Sequence, residues 1–238
     1  MSIESPSKTL GILSGMGPAA GAEFLRLLAE KAPAECDQEH PITYMLSDPH
    51  IPDRTAAVKG TGVDPTERLR KDLLLVAGWG VDYLAVPCNT AHIFIDRFRD
   101  ELPVPLLHIV EETVASCRRQ SPAGAWLLAT EATCQSGLYQ QYAEKIGYTF
   151  HEVTPEVQKE VTRALTLVKA GKMAESGVCM RQVVENLWKS KDIGIATACT
   201  ELPLAYDASG LPAEKSVSSL GALSDACLRA IYGDLYTR

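Results

Sequence analysis

The sequence predicts an α/β protein of two pseudo-symmetric domains, each a mostly parallel sheet flanked by helices. Three observations point to it. Short apolar runs alternate with helical patterns along all 238 residues. The second half restarts the scheme of the first about 115 residues on, as Gly124-Ala-Trp-Leu-Leu-Ala129 with Thr130-Glu-Ala-Thr133 repeats an opening strand and loop. Cys88-Asn89-Thr90 also has an echo in Cys199-Thr200-Glu201, 111 residues later (199 − 88). Each cysteine ends an apolar run that reads as a buried strand, and the small polar residues after it open a helix. In open parallel sheets ligands bind at that place, with backbone N–H groups available to an anion. Two such thiols suggest a two-sided site.

The elements follow in order. Thr9-Leu-Gly-Ile-Leu13 reads as a strand, Ser14-Gly-Met-Gly17 as a loop, and Pro18 as the first turn of a helix that runs to Lys31 and is stopped by Pro33. Gly15 and Gly17 fit no phosphate-binding pattern and read as a tight turn. Ile42–Leu46 is a second strand, followed by a turn-rich loop, Ser47 to Thr55, that positions side chains. Asp64-Pro65-Thr66-Glu67 opens a helix to about Gly78. Asp82–Val86 is a strand, Pro87-Cys-Asn-Thr-Ala-His92 leads a helix ending near Leu102, and Val104–Leu107 is a fourth short strand.

In the second half, helices are expected over Pro155–Gly171 and Met173–Ser190, and a strand over Ile193–Ala196. Ser216–Tyr236 reads as one helix with a Leu220, Leu223, Cys227, Ile231 and Leu235 stripe that packs back on the first unit. The expected domains are therefore 1–107 with 207–238, and 108–206.

Bulk composition narrows the function. A net charge of −7 without a Lys/Arg cluster argues against nucleic-acid or anionic-membrane partners and for a small-molecule ligand. Residues 1–9 carry no apolar h-region and no stretch nears the ~20 apolar residues of a spanning helix, so the expected location is cytoplasmic. Seven scattered cysteines without a C-x-x-C pair read as free thiols. Cys36, Cys117, Cys134, Cys179 and Cys227 read as inert, and His92 beside Cys88 lacks the further ligands zinc needs.

A pair of thiols suits one chemistry in particular. Removing the proton α to a carboxylate needs a base, and inverting the centre needs an acid on the opposite face; two cysteines supply both. Asn89, Thr90 and Thr200 offer donors for the developing enediolate, and no metal or electron-sink cofactor is demanded. Arg54 and Lys169 are the two cations that a distal carboxylate would need. Glu201 either contacts the substrate or orients Cys199, with helix-start stabilisation as the plain alternative. His92, one helical turn after Cys88, either polarises the thiol or caps hydrogen bonds inside the fold. Trp79, Trp126 and Trp188 read as core or interface residues, and His40, His50, His108 and His151 as structural or solvent-facing.

On these residues the chain resembles the aspartate racemases of the cofactor-independent Asp/Glu racemase superfamily. The matching motifs are Gly11–Pro18, Asp48–Thr55, Pro87–His92, Leu128–Thr133 with Ser136–Tyr139, and Cys199–Pro203. The resemblance implies an active site in an interdomain cleft and a homodimer. It also implies Cys88 and Cys199 as the acid/base pair, Cys199 taking the proton from the L-isomer and Cys88 from the D-isomer. Arg54 and Lys169 would hold the side-chain carboxylate, and Met16, Asn89, Thr90, Thr133 and Thr200 would line the α-carboxylate and ammonium pockets. Ser14, Ala132 and Ala198 stand where the family usually has glycine, and Val217-Ser-Ser219 lacks an aspartate often seen there.

The expected function is thus cofactor-independent interconversion of L- and D-aspartate. Alternatives are a glutamate or broad-specificity racemase, a hydantoin racemase, and a one-cysteine relative such as a maleate isomerase or arylmalonate decarboxylase. A non-catalytic binding protein would keep the cations without needing the thiols, and a dithiol switch would need sulfurs within disulfide reach.

Overall fold

The computed structural model describes residues 6–236; expectations that reach 1–5 and 237–238 lie outside them. The chain forms β1 (Leu10–Ser14), α1 (Pro18–Lys31), β2 (Thr43–Ser47), α2 (Arg54–Val58), α3 (Thr66–Ala77), β3 (Tyr83–Ala85), α4 (His92–Ile95) and β4 (Leu106–Leu107). It continues with α5 (Ile109–Gln120), β5 (Ala125–Ala129), α6 (Glu131–Gln135), α7 (Leu138–Lys145), β6 (Phe150–His151), α8 (Pro155–Lys169), α9 (Met173–Ser190), β7 (Gly194–Ala198), α10 (Leu202–Ser209), β8 (Ser216–Ser218) and α11 (Ser219–Tyr232).

Two compact units result. One runs up to Ile109 and resumes at Leu220; the other spans Val110–Ser219. Each has its own four-stranded sheet, ordered β2-β1-β3-β4 in the first and β6-β5-β7-β8 in the second. Every strand pair is parallel. The order is the same in both: second, first, third, fourth. In such a sheet the connections leave the first and third strands in opposite directions, so a crevice opens outside their C-terminal ends. β1, buried along its whole length, shows why the runs lack alternation, since both faces of a parallel sheet are covered.

The first unit's core joins Leu13, Met16, Ile51, Leu69, Leu73, Val76, Leu84, Val86, Cys88, Phe94 and Phe98. That of the second joins Leu128, Val161, Leu165, Met180, Val184, Ile195, Cys199, Leu202 and Tyr206. α11 belongs to the first unit, where Lys31 Nζ meets Asp225 Oδ1 at 2.8 Å and the Tyr232 hydroxyl donates to Glu39 O at 2.8 Å.

Four expectations are corrected. The helix after Cys88 stops at Ile95, because Arg97 and Phe98 bond carbonyls three residues back and the chain tightens into a 3-10 turn at Arg99–Glu101. Residues 216–218 form β8 and not a helical turn, since Ser216–Ser218 pair with Ile195–Thr197 of β7. The last helix therefore begins at Ser219, and Leu235, expected on its buried stripe, is exposed while Leu220, Leu223, Cys227 and Ile231 are buried. Residues 207–219 stay with the second unit for the same reason: α10 packs into its core and β8 completes its sheet.

Candidate active site

In the first unit the candidate residues follow β1, β2 and β3. Gly15, after β1, has φ +101°, and a Cβ there would fall within 2.6 Å of the Asp48 backbone. Only glycine allows the loops after β1 and β2 to touch, which they do as Asp48 N donates to Ser14 O at 3.1 Å. Gly17 needs no such freedom; its φ is −99° and the space beside it is open. Met16 between them is buried in the same core as Cys88.

Ser14, the unusual residue here, fits because α1 offers Gly21 opposite: a Cβ on Gly21 would lie 2.0 Å from Ser14 Oγ. The hydroxymethyl thus occupies space that Gly21 leaves.

The loop after β2 is anchored by Asp48. Its carboxylate accepts from His50 N at 2.9 Å and Arg68 Nε at 2.7 Å, and Arg68 also reaches Asp72 at 3.1 Å. Burial opposes ionisation of Asp48, but the His50 amide and Arg68 outweigh it and hold the carboxyl below its ordinary range; burial and its contact with Asp48 push Asp72 up. Asp53 caps α2 by accepting from Ala56 N at 2.6 Å. Arg54, at the start of α2, donates through Nη1 to Ile51 O at 2.9 Å and Pro52 O at 3.0 Å. One arm of its fork is therefore engaged by its own loop.

After β3 come Cys88, Asn89 and Thr90, all buried. His92 was expected to polarise the thiol or to cap backbone, and the second holds: Nδ1 lies 2.8 Å from the Cys88 carbonyl oxygen.

In the second unit Thr130 caps α6, accepting from Thr133 N at 3.2 Å, and the two hydroxyls lie 3.0 Å apart. Thr133 and Ala132 are fully buried. Cys199 and Thr200 stand between β7 and α10. The Cys199 thiol donates to Glu201 Oε2 at 3.2 Å, and the Thr200 hydroxyl donates to the same oxygen at 2.9 Å. Lys169 Nζ, on a largely exposed side chain, lies 3.8 Å from Glu201 Oε1. Burial first, then the Glu201 charge, raise the Cys199 pKa well above that of a free thiol. Both influences favour the protonated thiol of Cys199.

The structure thus brings Met16, Asn89, Thr90 and Cys88 to one sheet's C-terminal edge, and Thr133, Cys199, Thr200, Glu201 and Lys169 to the other's. The Lys169–Glu201 pair was not foreseen: the two are 32 positions apart (201 − 169), and each had been read separately. Nor was Tyr139, a fully buried hydroxyl that bonds Thr113 and lies within electrostatic reach of Cys199. It entered the sequence analysis only as the last residue of the Ser136–Tyr139 motif, with no role attached. Among the described residues no His/Cys/Asp/Glu cluster could hold a metal, and no helix is long and apolar enough to cross a membrane.

Two parallel α/β units of one topology, each with a cysteine at the end of its third strand, define a duplicated enzyme scaffold. Residues 13–216 match the Asp/Glu/hydantoin racemase family model, and the chain belongs to that family; it is a racemase, hence an isomerase. It is 30% identical over 209 residues to the broad specificity amino-acid racemase RacX of Bacillus subtilis (strain 168), covering 83% of this chain and 87% of that one. In fold it is similar to the Picrophilus torridus aspartate racemase, with TM-score 0.80, 24% identity, and 97% and 99% of the two chains covered. A glutamate racemase of Bacillus anthracis aligns with TM-score 0.67, 15% identity, and 98% and 86% covered.

Proposed function

We propose that the protein racemises amino acids without a cofactor, by proton transfer at the α-carbon between Cys88 and Cys199, with aspartate as the leading substrate. The observation that carries this is the matched position of the two thiols, each after the third strand of a unit with the same strand order. In one direction the Cys88 thiolate removes the α-proton of the D-isomer and the Cys199 thiol protonates the opposite face. In the other, Glu201 accepts the Cys199 proton, the Cys199 thiolate takes the α-proton of the L-isomer and the Cys88 thiol protonates the opposite face; the proton on Glu201 then returns through solvent to Cys88. Asn89, Thr90, Thr133 and Thr200 with the neighbouring amides stabilise the enediolate, Met16 walls the pocket, and Arg54 and Lys169 attract a distal carboxylate.

The pairing of Lys169 with Glu201 favours a second reading. An ammonium neutralised by a carboxylate has less charge to offer a dicarboxylate, which suits a wider range of side chains, as does the similarity to a broad specificity racemase. Glutamate falls between the two.

One screen tests both. Single enantiomers of the common amino acids are incubated with the protein alone and resolved by chiral chromatography; conversion of aspartate above all others supports the first reading, and comparable conversion of neutral amino acids the second. Conversion of none overturns both.

A homodimer is part of the proposal. β2 is an edge strand; Tyr44 and Met45 on it, Ile42 just before it and Trp79, whose ring lies 6.3 Å from that of Tyr44, are exposed, an apolar border suited to a second copy.

A further inference from the structure

The turn after Cys88 is tighter than an α-helix. His92 N donates to Asn89 O at 3.1 Å and Ile93 N to Thr90 O at 3.3 Å, both three residues back. In a regular α-turn the Cys88 carbonyl would receive the His92 amide, four residues on. That amide is engaged by Asn89, and the His92 imidazole stands in its place, with Nδ1 2.8 Å from the Cys88 oxygen. A carbonyl only accepts, so Nδ1 carries the hydrogen and Nε2 is left as a bare lone pair.

Nε2 is buried and has no hydrogen-bond partner among the described residues. The whole side chain is inaccessible, and the His108 ring packs edge-on at 4.3 Å. His108 is itself oriented by its Nε2, 2.9 Å from Asp96 Oδ1. A ring that served only to fill space here would leave one nitrogen unsatisfied at a cost an apolar side chain avoids. The arrangement makes sense if the other nitrogen is needed.

We propose that His92 is a positioning residue for Cys88: held as the neutral Nδ1–H tautomer, it supplies the donor that the tightened turn denies the Cys88 carbonyl, and so fixes the peptide that carries the thiol. Behind that peptide, on the side away from Asn89 N–H, the His92 ring packs against the buried His108, which is held in turn by the more exposed Asp96. This role rests on the reading of Cys88 as an acid/base group. Displacement of a reacting group by ~1 Å costs on the order of 10²-fold in rate, so loss of the bond should appear in turnover before it appears in binding.

Two measurements test it on the full chain. With imidazole nitrogens labelled by ¹⁵N, a long-range ¹H–¹⁵N spectrum near neutral pH should show His92 as a neutral ring protonated at Nδ1, its signals assigned by their absence in His92→Asn. A ring protonated at Nε2, or at both nitrogens, overturns the proposal without reference to activity. In the second measurement His92→Leu should lower kcat by about 10- to 100-fold at unchanged KM and change the pH profile of Cys88 alkylation, read by peptide mass spectrometry. His92→Asn, whose amide N–H can stand near the Nδ1 position, should restore most of both. Full activity in His92→Leu, or equal impairment of the two variants with native circular dichroism, overturns it. A parent protein that racemises nothing would overturn the acid/base reading and the positioning role with it, while the tautomer spectrum would still decide the hydrogen bond.

Discussion

Cys199 shows how much one neighbour can settle. Its thiol is buried and donates to Glu201, and both conditions favour the protonated form. Replacing Glu201 by Gln removes the negative charge while keeping the backbone, so the Cys199 pKa should fall. Iodoacetamide labelling of Cys199 as a function of pH, followed by mass spectrometry, should then show a midpoint displaced to lower pH in Glu201→Gln; a midpoint displaced upward contradicts the assignment. Lys169 acts in the opposite sense, so Lys169→Met should move the midpoint up. If Lys169 also serves a distal carboxylate, that variant loses aspartate conversion and keeps conversion of neutral amino acids. The matched placement of Cys88 and Cys199 after the third strands was legible because strand-end motifs repeat, whereas Thr133 was singled out only by the family resemblance. The Lys169–Glu201 contact was not legible, since it depends on where two helix ends meet, while the His92–Cys88 contact was one of the two alternatives that the one-turn spacing offered.

At the level of elements, legibility followed local punctuation more than length: the twelve-residue α5 carried no expectation, while the two-residue β4 was anticipated within Val104–Leu107. α1 and α9 begin and end where proline and periodicity put them, and α8 falls two residues short, Pro155–Lys169. β6 and β8, of two and three residues, have no period to read and exist because a neighbouring strand leaves donors and acceptors to be met. Ser14 and Gly21 supply a test of packing between β1 and α1. Gly21→Ala should destabilise the protein by about 1–3 kcal/mol in urea denaturation, because the new methyl collides with Ser14 Oγ, and this exceeds the gain in helix propensity. Ser14→Gly in the same chain should recover most of the loss, and independence of the two changes would show that the contact does not matter. Asp48 offers another. Its carboxyl is held below the ordinary range in the fold, so its contribution is present above the unfolded pKa and is lost as pH falls through the folded one. Asp48→Asn should therefore cost stability near neutrality and progressively less in acid.

For the molecule as a whole, the duplication is the informative feature. Sequence offsets revealed two α/β units, and the strand orders β2-β1-β3-β4 and β6-β5-β7-β8 bear out one parallel topology used twice. The point of return to the first unit was misread, since Ser216–Ser218 alternates too briefly to separate from the helix that follows. If each unit contributes one thiol, neither can racemise alone. Cys88→Ser and Cys199→Ser should each lower racemisation by about 10²- to 10⁴-fold, the range of a lost acid/base group. The most direct measurement is incubation of each enantiomer in D₂O with the parent and the two variants, reading deuterium at the α-carbon together with optical rotation. The account predicts that the parent places solvent deuterium at the α-position from either enantiomer while rotation decays to zero, and that neither variant sustains racemisation. Undiminished racemisation by either variant would contradict it.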